Sequence, residues 1–254
     1  MTELRLSADA WRQRTFVLGA LSAAIMLGMA FMKPIPQPLE YHAFSDGRAL
    51  LGIPNFLNVV SNLPFMVIGV MGLAWLVSRP ATLELELRTP YVVVFAGLAA
   101  TAFGSAFYHW SPANPALVWD RLPIAVSFVA LFAAVLVERV TPTSKNLLIP
   151  LVIFGAVTVG YWHWTDDLRP YLLAQFLPVL LIPLILWLYP ARYSRGGDFL
   201  VSIGFYAAAK IAELLDGQIY GALGMISGHT LDHLLAAGGA YTVYRMLRLR
   251  QRLA

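Results

Sequence analysis

Ser105, His109 and Asp120 fall within FGSAFYHWSPANPALVWDRLP, residues 103–123 of a chain that otherwise avoids polar groups. A second stretch, GHTLDHLLAAGGAY, carries His229 and His233. Side chains four residues apart share one face of a helix. Ser105 therefore projects with His109, and His229 with His233. Three imidazoles brought to one point make a tridentate zinc site, because imidazole nitrogen binds zinc at about 2.0–2.1 Å and three protein ligands leave a fourth position for water. Zinc lowers the pKa of that water from about 15.7 towards about 7. An aspartate nearby can take the proton and pass it to a leaving group, and a serine hydroxyl can steady an oxyanion. The glutamate of HExxH is missing, so the soluble metalloprotease motif is absent. Cysteine is absent as well, which excludes disulfides and a thiolate metal site.

The elements that must position these residues are membrane helices. Hydrophobic residues make up 59% of the 254 positions and charged residues 13%, far from the balance of a soluble domain. Apolar runs long enough to cross a hydrocarbon core of about 30 Å recur eight times. They cover Phe16–Met32, Asn55–Val77, Pro90–Tyr108, Val118–Glu138, Leu147–Trp164, Tyr171–Leu188, Phe199–Leu215 and Gly228–Leu247. Lys210 and Glu213 make the seventh the weakest. Pro64, Gly104, Pro123, Pro178 and Pro183 interrupt several spans, which bundles tolerate when neighbours satisfy the freed backbone groups. With the N-terminus inside, the cytoplasmic segments hold Arg5, Arg12, Arg14, Arg79, Arg88, Arg139, Lys145, Arg192, Arg195, Arg245, Arg248, Arg250 and Arg252. The outer loops hold only Lys33, Arg48 and Arg169. This asymmetry follows the positive-inside rule and puts both termini in the cytoplasm. It also explains the net charge of +4 without nucleic acid, for which no aromatic-interleaved basic face exists. On this topology Ser105, His109, Asp120, His229 and His233 all reach one depth near the outer face. The first run also has the layout of a secretory signal, but its length of about 17 residues favours a retained helix.

Other polar residues have plainer readings. His42 and His163 are expected to anchor or hydrogen-bond, with His163 between Trp162 and Trp164 in an interfacial aromatic belt. Asn58, Ser61 and Asn62, with Asn55 before them, are expected to bond between helices rather than to touch substrate. Lys210, Glu213 and Asp216 are spaced for local ion pairing, which would make the first two tolerable in a membrane.

Taken together, NVVSN at Asn58–Asn62, GSAFYH at Gly104–His109, DRLP at Asp120–Pro123 and HTLDHLLAAGGAY at His229–Tyr241 resemble the alkaline ceramidase family. Its wider superfamily of seven-helix membrane hydrolases includes the adiponectin and progestin receptor-like proteins. The resemblance spans roughly Gly52–Arg250. It implies zinc held by His109, His229 and His233, with Ser105 and Asp120 as catalytic residues beside the metal-bound water. It implies an all-α integral membrane fold, a seven-transmembrane-helix core at residues 52–254 preceded by one additional helix and an outer loop at residues 1–51. The implied reaction is hydrolysis of the amide of a ceramide-like lipid. Two features depart from the family. Asn55 stands where a glutamate of a calcium-binding cluster is expected, which leaves Glu40 and Asp46 as the remaining candidate calcium ligands. Asp232 adds a charge within HTLDH. Three alternatives stay open: a lipid ester hydrolase at the same metal, a receptor-like or transport protein with structural zinc closed by Asp120 or Asp232, and a scaffold whose histidines only join helices. Short loops suit a bacterial inner membrane.

Overall fold

The computed structural model describes residues 7–78 and 83–253. Arg5 and Arg79, two of the cations used in the topology argument, lie outside them. Among these residues ten α-helices follow in chain order: α1 Ala8–Phe31, α2 Phe56–Val60, α3 Leu63–Ser78, α4 Leu85–Trp110, α5 Asn114–Val135, α6 Leu148–Thr165, α7 Arg169–Leu188, α8 Gly197–Leu214, α9 Asp216–Leu223 and α10 Gly228–Leu249. Among the described residues there is no β-strand, only two isolated bridges. Among the described residues six segments are long and apolar enough to cross a membrane: α1, α2 with α3, α4, α5 with its extension to Val140, α6 with its leading turn, and α7. The seventh and eighth expected spans exist as α8 and α10, close to the expected bounds, but they do not join that set by length and composition.

Local chemistry explains where the helices differ from the expected runs. α1 begins eight residues early because Ser7 caps it, accepting from the Ala10 amide at 3.2 Å. The run from Asn55 is broken between α2 and α3. There Asn62 Nδ2 donates to the Asn58 carbonyl at 2.8 Å and Ser61 Oγ reaches the same carbonyl at 3.3 Å, while Pro64 has no amide to continue the ladder. Leu136–Val140 forms a π-helical turn that ends α5.

The bundle is apolar outward and polar inward. Phe16, Phe103, Ile149 and Trp187 are largely exposed, whereas Asn58, Ser105, His109, Asp120, His229, Asp232 and His233 are buried. Such an arrangement suits a hydrocarbon surround, in which polar groups turn to the interior. α1 is peripheral: Leu18 is its one buried residue among those described, and it packs against α7.

One end of the bundle gathers the cations of the expected cytoplasmic segments. Trp11 Nε1 donates to the Val140 carbonyl at 3.0 Å and Arg14 to that of Leu188. Arg192 and Arg252 meet Glu84 at 2.8 and 3.0 Å, and Arg139 and Arg250 both pair with Glu138. The start of α1 and the end of α10 thus share one side. At the opposite end, Arg169 pairs with Asp167 at 2.7 Å and donates to the carbonyls that finish α1.

Candidate metal centre

His109 lies in the last turn of α4, and His229 and His233 occupy the first two turns of α10. His109 Nε2 stands 3.2 Å from His233 Nε2 and 3.3 Å from His229 Nε2. Ligands about 2.0–2.1 Å from a tetrahedral zinc stand about 3.3 Å apart, so the two spacings to His109 match that ion, and all three ligand atoms lie within 4.8 Å of one another. Tautomer chemistry fits as well. Ser61 Oγ has one proton, and donating it to the Asn58 carbonyl at 3.3 Å makes the oxygen an acceptor for His233 Nδ1–H at 2.7 Å. His233 Nε2 is then left with its lone pair directed at the other two imidazoles, as a metal ligand requires. Among the described residues this is the one group of three or more histidine or acidic side chains close enough to share an ion. All three rings are buried, and Phe44 packs against two of them, with centroids 4.7 Å from His109 and 4.8 Å from His229.

Ser105 lies one turn before His109 on α4, and Asp120 lies in the second turn of α5. Gly104 sets their proximity. A Cβ there would sit 1.9 Å from the Trp119 carbonyl oxygen and 3.2 Å from the Asp120 amide, so only glycine lets the two backbones meet at this height. Ser105 and Asp120 line one cavity with all three histidines, and Asp120 Oδ1 has no hydrogen-bond partner. The cavity holds about 380 Å³, within the range of small-molecule sites. Its far end is walled by Val94, Leu98, Leu131, Ile182 and Val243. Polar chemistry thus sits at one end of an apolar chamber.

Loops at the histidine end hold the ligands in place. Asp216 Oδ1 accepts from the His229 amide at 2.7 Å and Oδ2 from the Ser45 amide at 2.9 Å. Burial by itself would raise the Asp216 carboxyl, but those two amides outweigh it and hold the group below its ordinary range. Asn55, at φ 45°, donates to the His109 carbonyl at 2.9 Å. Asn58 accepts from Thr230 Oγ1 at 2.9 Å and donates to the Asp46 carbonyl at 3.3 Å. Close backbone contact repeats at Gly228, whose Cβ would lie 2.0 Å from the Ala212 carbonyl.

Several expectations need correction. Asp216 takes no part in ion pairing with Lys210; it begins α9 and serves the backbone of His229 and Ser45. Lys210 and Glu213 do pair, at 2.6 Å. Trp162 belongs to no interfacial belt, because it is buried with the Arg121 guanidinium 4.1 Å above its ring, whereas Trp164 is exposed. His42 is a hydrogen-bonding residue as expected, with Nδ1 at 2.9 Å from Tyr108 Oη and Nε2 at 3.0 Å from Asn114 Oδ1. The two calcium candidates stand in different settings. Both Asp46 oxygens receive the Arg48 guanidinium, at 2.7 and 2.8 Å, which holds that carboxyl below its usual range, and Glu40 is exposed. Arg48 also reaches the Met225 carbonyl at 2.6 Å, tying the first loop to the entry of α10. The partnership of Ser61 with His233 bridges 172 residues, and no sequence spacing signals it.

A helical membrane bundle that closes three histidines over an apolar chamber defines a class of intramembrane proteins with a candidate metal centre. The family model described as Ceramidase matches residues 51–194, more than half of the chain, and the chain belongs to that family. The matched region contains Ser105, His109 and Asp120 and stops before His229 and His233. No curated protein matches the chain.

Proposed function

We propose that the protein is a zinc-dependent hydrolase that cleaves the amide bond of a ceramide-like lipid within the membrane. Family membership supports a ceramide-hydrolysing membrane enzyme. The observation that carries the finer reading is the convergence of three buried Nε2 atoms at the polar end of an apolar cavity. His109, His229 and His233 would hold the ion. Bound there, zinc supplies a Lewis acid and acidifies water. Ser105 donates a hydrogen bond to the substrate carbonyl oxygen as it gains charge. Asp120 takes a proton from water and delivers it to the departing nitrogen, and its unpaired Oδ1 is the atom free to do so. The apolar chamber takes the acyl chain and keeps bulk water out.

In this reading α2 with α3, α4, α5, α6, α7, α8 and α10 form a seven-helix core at residues 52–254. α1 and the first outer loop, residues 1–51, precede it. Both termini are cytoplasmic, the metal lies near the outer face, and the setting is a bacterial inner membrane. A lipid ester is the competing substrate, since activated water does not by itself choose between amide and ester. The test is metal analysis and hydrolysis of matched amide and ester lipids by purified wild type and His109→Ala. One zinc per chain and amide cleavage, both lost in the variant, are expected. A wild type without stoichiometric metal refutes the zinc reading, and cleavage of the ester alone refutes the amidase.

A further inference from the structure

Arg121 brings to the cavity a positive charge that the proposed chemistry leaves unused. It follows Asp120 on α5, is 5% exposed and lines the chamber that also contains the histidines. Its guanidinium carbon lies over three rings, 4.1 Å from the centre of Trp162, 4.9 Å from that of Tyr171 and 5.6 Å from that of Tyr41. The face of an aromatic ring attracts a cation, so side chains from α6, α7 and the first outer loop hold the group in place. Nη2 donates to Gln37 Oε1, a neutral acceptor. Nη1 is buried and has no partner.

Other buried cations of the bundle have carboxylates. Arg139 and Arg250 both pair with Glu138, and Lys210, which also lines the chamber, has Glu213 at 2.6 Å and Asp232 at 3.3 Å. Arg121 has no ion pair among the described residues. A guanidinium cannot shed its proton to escape burial, an unpaired buried charge is costly, and an intramembrane charge is a functional candidate by default. Rings hold the cation but accept none of its N–H bonds. The open donor on a fixed positive charge calls for an anionic oxygen from the ligand, and carboxylate matches the guanidinium fork in both charge and shape.

We propose that Arg121 anchors a carboxylate-binding subsite in the chamber. The carboxylate belongs either to the head of the lipid amide, as in an N-acyl amino acid, or to the acid that cleavage releases. This rests on the lipid-amidase reading and gives it a second point of recognition away from the metal. In both cases Nη1 donates to a carboxylate oxygen and Arg121 gains the counterion it lacks. A neutral ligand of the same size leaves the guanidinium unpaired and is disfavoured.

The test uses purified wild type, Arg121→Gln and Arg121→Lys, with zinc content and a thermal melt measured in each. Two pairs of compounds of equal chain length separate the sources. One pair is an N-acyl glycine and the N-acyl glycinamide, compared as substrates. The other is a long-chain acid and the corresponding alcohol, compared as inhibitors of cleavage of a neutral amide lipid. Wild type should favour the carboxylate in at least one pair by about tenfold or more, through KM in the first and the inhibition constant in the second, as expected of a hydrogen bond to a charged group. Preference in the first pair places the carboxylate on the head group, and preference in the second alone places it on the released acid. Arg121→Gln should reduce the preference to about twofold with zinc per chain unchanged, and Arg121→Lys, which keeps the charge and loses the fork, should fall between. Equal treatment of both pairs by wild type overturns the subsite. A preference that Arg121→Gln retains also overturns it, and assigns the carboxylate to the metal. If the variants do not fold, or if wild type cleaves no amide and the functional reading fails, the subsite is read by thermal stabilisation of wild type and His109→Ala. Greater stabilisation by the acid than by the alcohol in both proteins supports it, and a difference confined to wild type, or none, overturns it.

Discussion

Gly104→Ala isolates the positioning of Ser105 against Asp120. The added methyl carbon would lie 1.9 Å from the Trp119 carbonyl oxygen, where real contacts stay beyond about 3.0 Å. The obstacle is backbone, which cannot rotate away, so α4 and α5 must part locally by about 1 Å. Overpacking of this kind costs about 1–3 kcal/mol of stability. A displacement of about 1 Å at a reacting centre can cost about 100-fold in rate. Because Asn55 and the α10 histidines hold the end of α4 from the other side, the ion should suffer less than the proton transfer. The assay is ceramide hydrolysis by purified protein, with zinc content and a thermal melt measured in parallel. A roughly 100-fold fall in kcat/KM with most of the zinc retained is expected. Wild-type turnover in a variant with a lowered melting temperature would refute the reasoning, since the close approach would then serve packing alone.

Ser61→Ala removes the acceptor for His233 Nδ1–H, and loss of such a partner should weaken zinc affinity about 10–100-fold, read by chelator competition. Asp120→Asn should abolish turnover while leaving zinc content near wild type; retained activity would assign the proton transfer elsewhere. Millimolar calcium should leave the melting temperature unchanged, because Arg48 already fills the Asp46 carboxylate. Arg169 beside Asp167 holds that carboxyl below its ordinary 3.8. The resulting stabilisation is present above the unfolded value and disappears as pH falls through the lower folded one, so Asp167→Asn should flatten the acid limb of a stability profile.

Hydropathy and spacing alone determined the helical membrane character of the chain and nearly all of its long helices, because a bilayer imposes span length directly on composition. The pairs Ser105 with His109 and His229 with His233 were equally legible, since helical periodicity fixes which neighbours share a face. Beyond one helix that logic ends. Only the tertiary structure decided that Ser61 orients His233, that Asp216 serves the α10 backbone rather than Lys210, and that Asp232 stands 3.3 Å from Lys210. It also turned Trp162 inward over Arg121 and gave Asp46 to Arg48. These contacts depend on helix rotation and on backbone approach at Gly104 and Gly228. Both are set by packing across the bundle, which no local pattern encodes.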